Sequence, residues 1–428
     1  MTVAGRPAWL TRNVVVLSAV SFSQDAASEL LYPLLPIFLT VTLGAPVAVV
    51  GLVEGIAEGA AALTRLASGG LAARYRRRPL VAVGYGLAAL GKVVVALAPV
   101  WPVAAGGRAV DRLGKGLRGA PRDALLVDGV PRTARGRVFG VHRAADTAGA
   151  VVGPLLGLAA YQAFDHRIRP VLLIAAVPAV VSVLLVGLAR DHADRGPVPA
   201  APAAPAAPAA PAAPAAPTPS LGAVLRGLLR PPTGMPQAYW RVVALVTVFG
   251  LVNFPDALLL LRLQQIGFGV TAVIGAYVTF NAVYAVAGLA AGALADRWGP
   301  APVFGVGLVF FAVAYTGLGL THDRTVAWGL VAGYGLFAGC TDGVAKAWVS
   351  RLLDGAQQTA GQGFLQGLGG LTVLVAGLWA GATWSVAGGN GRLPLLVSGA
   401  AAAGLVAVLA VVAVTASRRR ADRRDRRA

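Results

Sequence analysis

Two pairs of carboxylates stand four residues apart inside apolar stretches: Asp25 with Glu29, and Glu54 with Glu58. On a helix that spacing puts both members of a pair on one face. A second set recurs every three or four positions: Arg108, Asp111, Arg112, Lys115, Arg118 and Arg122, with Asp123 beside the last. Arg65, Lys92, His142, Arg143 and Asp146 complete the charges of the first half. The second half is sparer, with Asn253 and Asp256, Asn281 and Tyr284, Asp342 and Lys346, and Gln362 and Gln366. Desolvation and a neighbouring like charge favour a protonated carboxyl, so Asp25, Glu29, Glu54 and Glu58 are candidates for taking up and releasing a proton. Static pairing with the bases of residues 108–118 would occupy the same carboxylates. The stripe Arg108, Asp111, Arg112, Lys115 and Arg118, with Asp146, Asn253, Asp256 and Asn281, is the candidate set for binding a small molecule or relaying charge. An anionic or zwitterionic solute held by Arg108, Lys115 or Arg118 fits it. The asymmetry assigns proton coupling and most polar recognition to the first half. His142 reads as a hydrogen-bonded residue rather than a shuttle.

These groups sit in a chain that is 57% hydrophobic and 13% charged, with a mean hydropathy of +0.70. Soluble domains are about 45–50% apolar, so an ordinary soluble enzyme is excluded. The net charge is +19, from 37 basic and 18 acidic residues. The bases cluster in short groups between apolar runs, as membrane topology requires and a nucleic-acid surface does not. Cys340, the single cysteine, lies in an apolar stretch, and the four histidines are scattered. No disulfide framework, metal site or cofactor is expected. Nucleophile-elbow, metal-ligand and phosphate-loop motifs are absent from the sequence, so an enzyme or an ATP-driven pump is the least supported class.

A bilayer-spanning helix needs about 20 apolar residues. Twelve runs meet that scale, at about 14–39, 46–72, 80–98, 103–124, 138–162, 170–189, 241–263, 270–295, 301–320, 326–350, 358–386 and 393–416. The expectation is an all-α integral membrane protein of twelve transmembrane helices. The first run follows Arg6 and Arg12 and stays apolar too long for a cleaved signal. Arginines crowd alternate loops, including Arg74, Arg76, Arg77, Arg78, Arg132, Arg135, Arg137, Arg190, Arg195, Arg226 and Arg230. That bias places both termini in the cytoplasm. Trp9, Trp101, Trp240, Trp298 and Trp328 fall near span ends, as interfacial anchors do.

Prolines at 202, 205, 208, 211, 214 and 217 alternate with alanines, the composition of an extended, semi-rigid tether. The expected organisation is an N-terminal bundle of six helices over 1–189, an Ala/Pro linker over 190–240, a C-terminal bundle over 241–417 and a basic tail over 418–428. Leu221 to Arg230 has the pattern of a short surface helix, and the tail's arginines suit anionic lipids. The halves resemble each other weakly: Asp25 and Asp256 are expected at similar depths. The second and eighth spans end in related sequences, Gly70-Leu71-Ala72-Ala73-Arg74 and Gly292-Ala293-Leu294-Ala295-Asp296-Arg297.

On these motifs the chain resembles a major facilitator superfamily transporter over essentially its whole length. That family's short motif, G-x-L-x-D-R-x-G-R-R, is matched from Gly292 through Asp296 and Arg297 to Gly299, then diverges at Pro300. The first-half copy keeps Gly69, Leu71 and Arg74 but has Ala73 in the aspartate's place. Arg108 to Gly114 is similar to the family's R-x-x-Q-G-x-G element, with Asp111 and Arg112 replacing glutamine and glycine. Gly140, Gly149, Gly153, Pro154 and Gly157 fit the spacing of the motif carried by proton-coupled exporters; Leu158 replaces the last glycine. The resemblance implies two pseudo-symmetric six-helix bundles and proton-coupled export of a small organic solute or drug by alternating access. Import of a small polar solute, or a receptor or scaffold that moves nothing, are the alternatives. With aromatics at 7%, a bulky hydrophobic drug is not singled out, and the dense charge points to a polar solute. The composition suggests a bacterial plasma membrane, and the chain is expected to act as a monomer.

Overall fold

The computed structural model describes residue 7 and residues 9–131, 134–191, 232–353, 355–386 and 390–425. The Ala/Pro tether, the Leu221 to Arg230 segment, Arg132, Arg195 and the last three residues lie outside the described residues. All regular structure among the described residues is helical.

In the first half, α1 (Arg12–Leu31), α2 (Val47–Arg74), α3 (Arg77–Leu97), α4 (Trp101–Leu126), α5 (Arg135–Ala163) and α6 (Ile168–Val186) follow one another through short turns. Thr11 caps α1 by accepting a hydrogen bond from the Val14 amide at 3.3 Å. In the second half, α7 (Gln237–Gly250) and α8 (Asp256–Gln265) precede α9 (Val270–Trp298), α10 (Pro300–Leu320), α11 (Arg324–Leu352), α12 (Gly355–Val386) and α13 (Arg392–Asp425). Gly299 reverses the chain between α9 and α10 with φ +90°, a conformation that glycine adopts without a Cβ penalty.

Two spans expected to be continuous are broken. The run 14–39 stops at Leu31 and resumes as a short turn Leu35–Ile37 and a widened turn Phe38–Thr42, with Pro33 in the gap. The run 241–263 splits into α7 and α8 around Leu251 to Pro255. Proline lacks the N–H and crowds the preceding turn, so each break has a local cause. Asp256 follows its break directly, whereas Asp25 precedes Pro33 by two helical turns, so the two aspartates are not at equivalent points. At the other end of the chain, the backbone remains helical through the basic tail to Asp425.

Among the described residues, nine helical stretches are long and apolar enough to cross a bilayer. The three other expected spans correspond to α4, with seven ionisable residues, to the interrupted α7–α8 pair, and to α11.

Small residues set the closest approaches. A Cβ on Gly91 would come within 2.5 Å of the Asp111 amide, and one on Gly107 within 2.9 Å of the Gly91 carbonyl, so α3 and α4 meet backbone to backbone. Close contact of this kind is what small-residue faces permit in membranes. α1 packs on α5 and α6, α9 and α10 pack on α11, and α12 runs along α2 across the two halves.

The hydrophobic core is single at one end and forked at the other. On the side away from the termini, Leu30 to Val53, Val95 to Ala104 and Ala160 to Ala175 share one buried cluster with residues such as Phe254, Tyr277, Leu318, Ala380 and Trp384, and in the second half this cluster continues to Ala295, Val303 and Val344. On the termini side, the first half has its own cluster around Leu17, Tyr85, Leu125 and Val186. The second half has a separate one around Tyr239, Val243, Val349 and Leu365.

Candidate functional site

The charged stripe of α4 is met by α2 and α3 in a buried chain of ion pairs. Lys92 Nζ donates to Asp111 Oδ1 at 2.7 Å, and Arg108 Nη1 donates to Asp111 Oδ2 at 3.1 Å. Arg108 also grips Glu54 with two parallel bonds, Nε at 2.8 Å and Nη2 at 3.1 Å. Arg112 Nη2 stands 4.0 Å from Glu54 and 3.4 Å from Glu58. The Arg108 and Glu54 side chains are each 2% exposed. Three cations and three anions therefore neutralise one another in a row, as charges removed from water must. Glycine makes the row feasible, since the backbone contact of Gly91 with Asp111 brings Lys92 of the same helix within reach.

In front of this row, between the halves, lies a cavity of about 460 Å³. The first half contributes Asp25, Glu29, Tyr32, Glu58, Arg112, Lys115, Arg143 and Asp146 to its wall. The second contributes Asn253, Asp256, Asn281, Asp342 and the rings Tyr277, Phe280, Tyr284, Tyr334 and Phe337. Two bonds cross or frame the space: Tyr277 Oη donates to Glu29 Oε2 at 2.5 Å between halves, and Tyr334 Oη donates to Asp256 Oδ1 at 2.6 Å. Arg143 Nη2 reaches Tyr284 Oη at 3.4 Å. Lys115 is exposed to the cavity and makes no ion pair among the described residues. Asp25 likewise faces the cavity without a bonded cation among the described residues.

The exporter-type glycines place Asp25. A Cβ on Gly149 would come within 2.5 Å of the Phe22 carbonyl and 3.2 Å of Asp25 Cβ; one on Gly153 would sit 2.5 Å from the Ala26 carbonyl. Gly157 faces Leu30 of the same helix, and Pro154 is buried between them, whereas Gly140 faces nothing within 4 Å among the described residues. Only the part of the motif from 149 to 157 therefore makes the α1–α5 contact.

Other sequence candidates lie away from the cavity. Arg108, Asp111 and Glu54 stand behind it in the ion row, and Arg118 stacks over the Tyr85 ring at 4.4 Å. His142 is 3% exposed with Nε2 3.9 Å from Asp146 Oδ1. Neither ring nitrogen has a hydrogen-bond partner among the described residues, contrary to the expectation of a bonded histidine. Asp296 pairs with Arg351, which also donates to the Ala295 carbonyl at 3.1 Å, at the termini end of α9 and α11. Gly292 and Arg297 are exposed there.

Sequence reasoning singled out Tyr284 but missed the aromatic wall it belongs to. Tyr277, Phe280 and Tyr284 recur every three or four residues and stack face to face, and Tyr334 stacks on Phe280 at 5.3 Å. The average of 7% aromatics hid that six of the 21 lining residues are rings. It also missed Arg262, 2% exposed, which donates to the carbonyls of Leu318 at 2.9 Å, Asn390 at 2.9 Å and Thr321 at 3.1 Å.

A polar cavity between two helical halves, closed by a shared core at one end, defines a multi-pass membrane transporter rather than an enzyme. The sequence profile of the Major Facilitator Superfamily matches residues 17–281, and the chain belongs to that family. An uncharacterized MFS-type transporter of Methanocaldococcus jannaschii is 27% identical over 384 residues, covering 88% of this chain and 89% of that protein. Among solved structures, a mutant of the nucleoside transporter NupG superposes with a TM-score of 0.73 at 13% identity, over 93% of this chain and 99% of that one. A bacterial homologue of the human lysosomal transporter Spinster, in an inward-facing and unoccupied conformation, gives 0.68 at 16% identity, over 96% of both chains. These two likenesses carry the fold.

Proposed function

We propose that this protein is a proton-coupled secondary transporter that exports a small polar organic solute by alternating access. Two six-helix bundles, residues 1–189 and 241–417, rock about the cavity, with both termini in the cytoplasm. The observation that carries the reading is the division of charge. Five buried residues and the cavity-lining Glu58 neutralise one another in the ion row, while Asp25 faces the cavity with no cation bonded to it among the described residues. A carboxylate in that position can exchange a proton without breaking a scaffold. Glu54, with both oxygens held by Arg108, is assigned to positioning, and Glu29 and Glu58 share the cavity with Asp25.

The forked core supports a cavity reached from the termini side in this conformation, because among the described residues the two halves have separate buried clusters there. Export is favoured by the Gly149, Gly153 and Gly157 packing that seats Asp25, since this spacing is the one found in exporters. The test uses inside-out vesicles holding a respiration-driven pH gradient read by a fluorescent probe. Cationic, zwitterionic and anionic compounds are added to wild type and to Asp25→Asn. A compound that collapses the gradient only with wild type is the expected result. Full collapse with Asp25→Asn overturns the assignment of Asp25, and collapse by no compound overturns proton-coupled export.

A further inference from the structure

The two broken spans bring their breaks to one place. Glu29 and Tyr32 stand at the Pro33 break of the first half; Asn253 and Asp256 flank the Pro255 break of the second, and all four line the cavity. Interrupted helices at corresponding positions of two repeats are where transporters of this general architecture hold their ligands. Here the two breaks present a carboxylate each, from opposite halves. Each carboxylate accepts one tyrosine hydroxyl, Glu29 from Tyr277 and Asp256 from Tyr334, and neither forms an ion pair among the described residues. The rings of those tyrosines join a stack. Tyr32 lies 5.5 Å from Tyr277, Tyr277 lies 5.9 Å from Phe280, and Phe280 lies 5.3 Å from Tyr334. Asn253 adds a buried Oδ1 with no hydrogen-bond partner among the described residues, an acceptor left over for an N–H group.

We propose that Glu29, Asp256, Tyr32, Tyr277, Phe280 and Tyr334 form a cage for an organic ammonium ion carrying a flat aromatic group. This inference rests on the cavity being the substrate site. The electrostatics select the sign of the ligand: the cavity wall has six carboxylates against three bases, and the pairs Arg112–Glu58 and Arg143–Asp146 leave four carboxylates against Lys115. An ammonium centre gains from both the carboxylates and the faces of the rings. An aromatic substituent packs against the edge of this ring cluster, whose members already stack on Phe280. A metal ion fits poorly, because among the described residues no three acid, histidine or cysteine side chains converge to ligate one.

The test is direct binding to the purified full-length protein in detergent, followed by calorimetry. The probes are benzyltrimethylammonium, its uncharged isostere neopentylbenzene, and benzenesulfonate. The ammonium is expected to bind at least about tenfold tighter than either other probe, a difference of the size that a desolvated cation–π and carboxylate site produces. Asp256→Asn is expected to weaken it by about tenfold or more, and Phe280→Leu by severalfold. Glu29→Gln, with the same expectation, replaces Asp256→Asn if that protein does not purify. Equal binding of the sulfonate or the neutral isostere overturns the cage, as does an affinity within about twofold of wild type in both carboxylate variants. Selective ammonium binding without any gradient-driven flux would leave the cage standing and remove the transport reading. Gradient-driven flux of an uncharged solute that excess ammonium does not inhibit would do the reverse.

Discussion

Replacing Arg108 by methionine isolates what the buried ion row does. Arg108 makes three of the row's bonds, two to Glu54 at 2.8 and 3.1 Å and one to Asp111 at 3.1 Å. In Arg108→Met, among the described residues Asp111 keeps only Lys92 as an ion-pair partner, and Glu54 keeps only Arg112, 4.0 Å away. The row then carries two cations and three anions, of which only Glu58 at the cavity edge is substantially exposed. Removing one partner of a buried pair typically costs about 3–5 kcal/mol, because the other charge stays buried without compensation. Removing both partners of the Arg108–Glu54 pair restores neutrality. The double variant Arg108→Met/Glu54→Met should therefore recover at least about half of the loss, a coupling of about 2 kcal/mol or more. The assay is reversible unfolding in mixed micelles by added denaturing detergent, followed by tryptophan fluorescence, on wild type, both single variants and the double. A loss below about 1 kcal/mol in Arg108→Met, or losses that add within about 0.5 kcal/mol, would refute a neutralising row. Glu54 would then return as a candidate for carrying the proton.

Gly149→Val should separate α1 from α5, since even a Cβ meets the Phe22 carbonyl at 2.5 Å; the expected destabilisation is about 1–3 kcal/mol with loss of transport, whereas Gly140→Ala, open to 4 Å, should match wild type in thermal stability and flux. Arg262→Met should cost about 2–4 kcal/mol in the same unfolding assay by orphaning the carbonyls of Leu318, Thr321 and Asn390, and Arg262→Lys should recover only part, because an ammonium lacks the planar fork that reaches three acceptors.

Helix positions and the packing faces were readable from the chain because they depend on local patterns. The run read at 80–98 is α3 at Arg77–Leu97, and the run at 301–320 is α10 at Pro300–Leu320. The periodicity of Arg108, Asp111, Arg112 and Lys115 announced a charged helix face, and the glycines at 149, 153 and 157 announced a smooth one. What periodicity lacks is the partner. Whether Glu54 exchanges protons or binds Arg108 depends on how α2 meets α4, and nothing within either helix specifies that. The second half's share of the site was underestimated for a related reason. Charges stand out in an apolar span, but tyrosines and phenylalanines do not, and only folding gathers Tyr32, Tyr277 and Tyr334 around one space. Pro33 and Pro255 were visible as residues; their meaning emerged when both breaks proved to face the same cavity.

The ion row has an electrical consequence for the working cycle. Moving one elementary charge across the membrane potential is worth about 2.3 kcal/mol per 100 mV. Because Lys92, Arg108 and Arg112 are matched by Glu54, Glu58 and Asp111, the row as a whole is invisible to that field whichever way the first half tilts. What the field can act on is then the cavity: its wall groups outside the row, such as Asp25 and Lys115, together with the proton and the solute that occupy it.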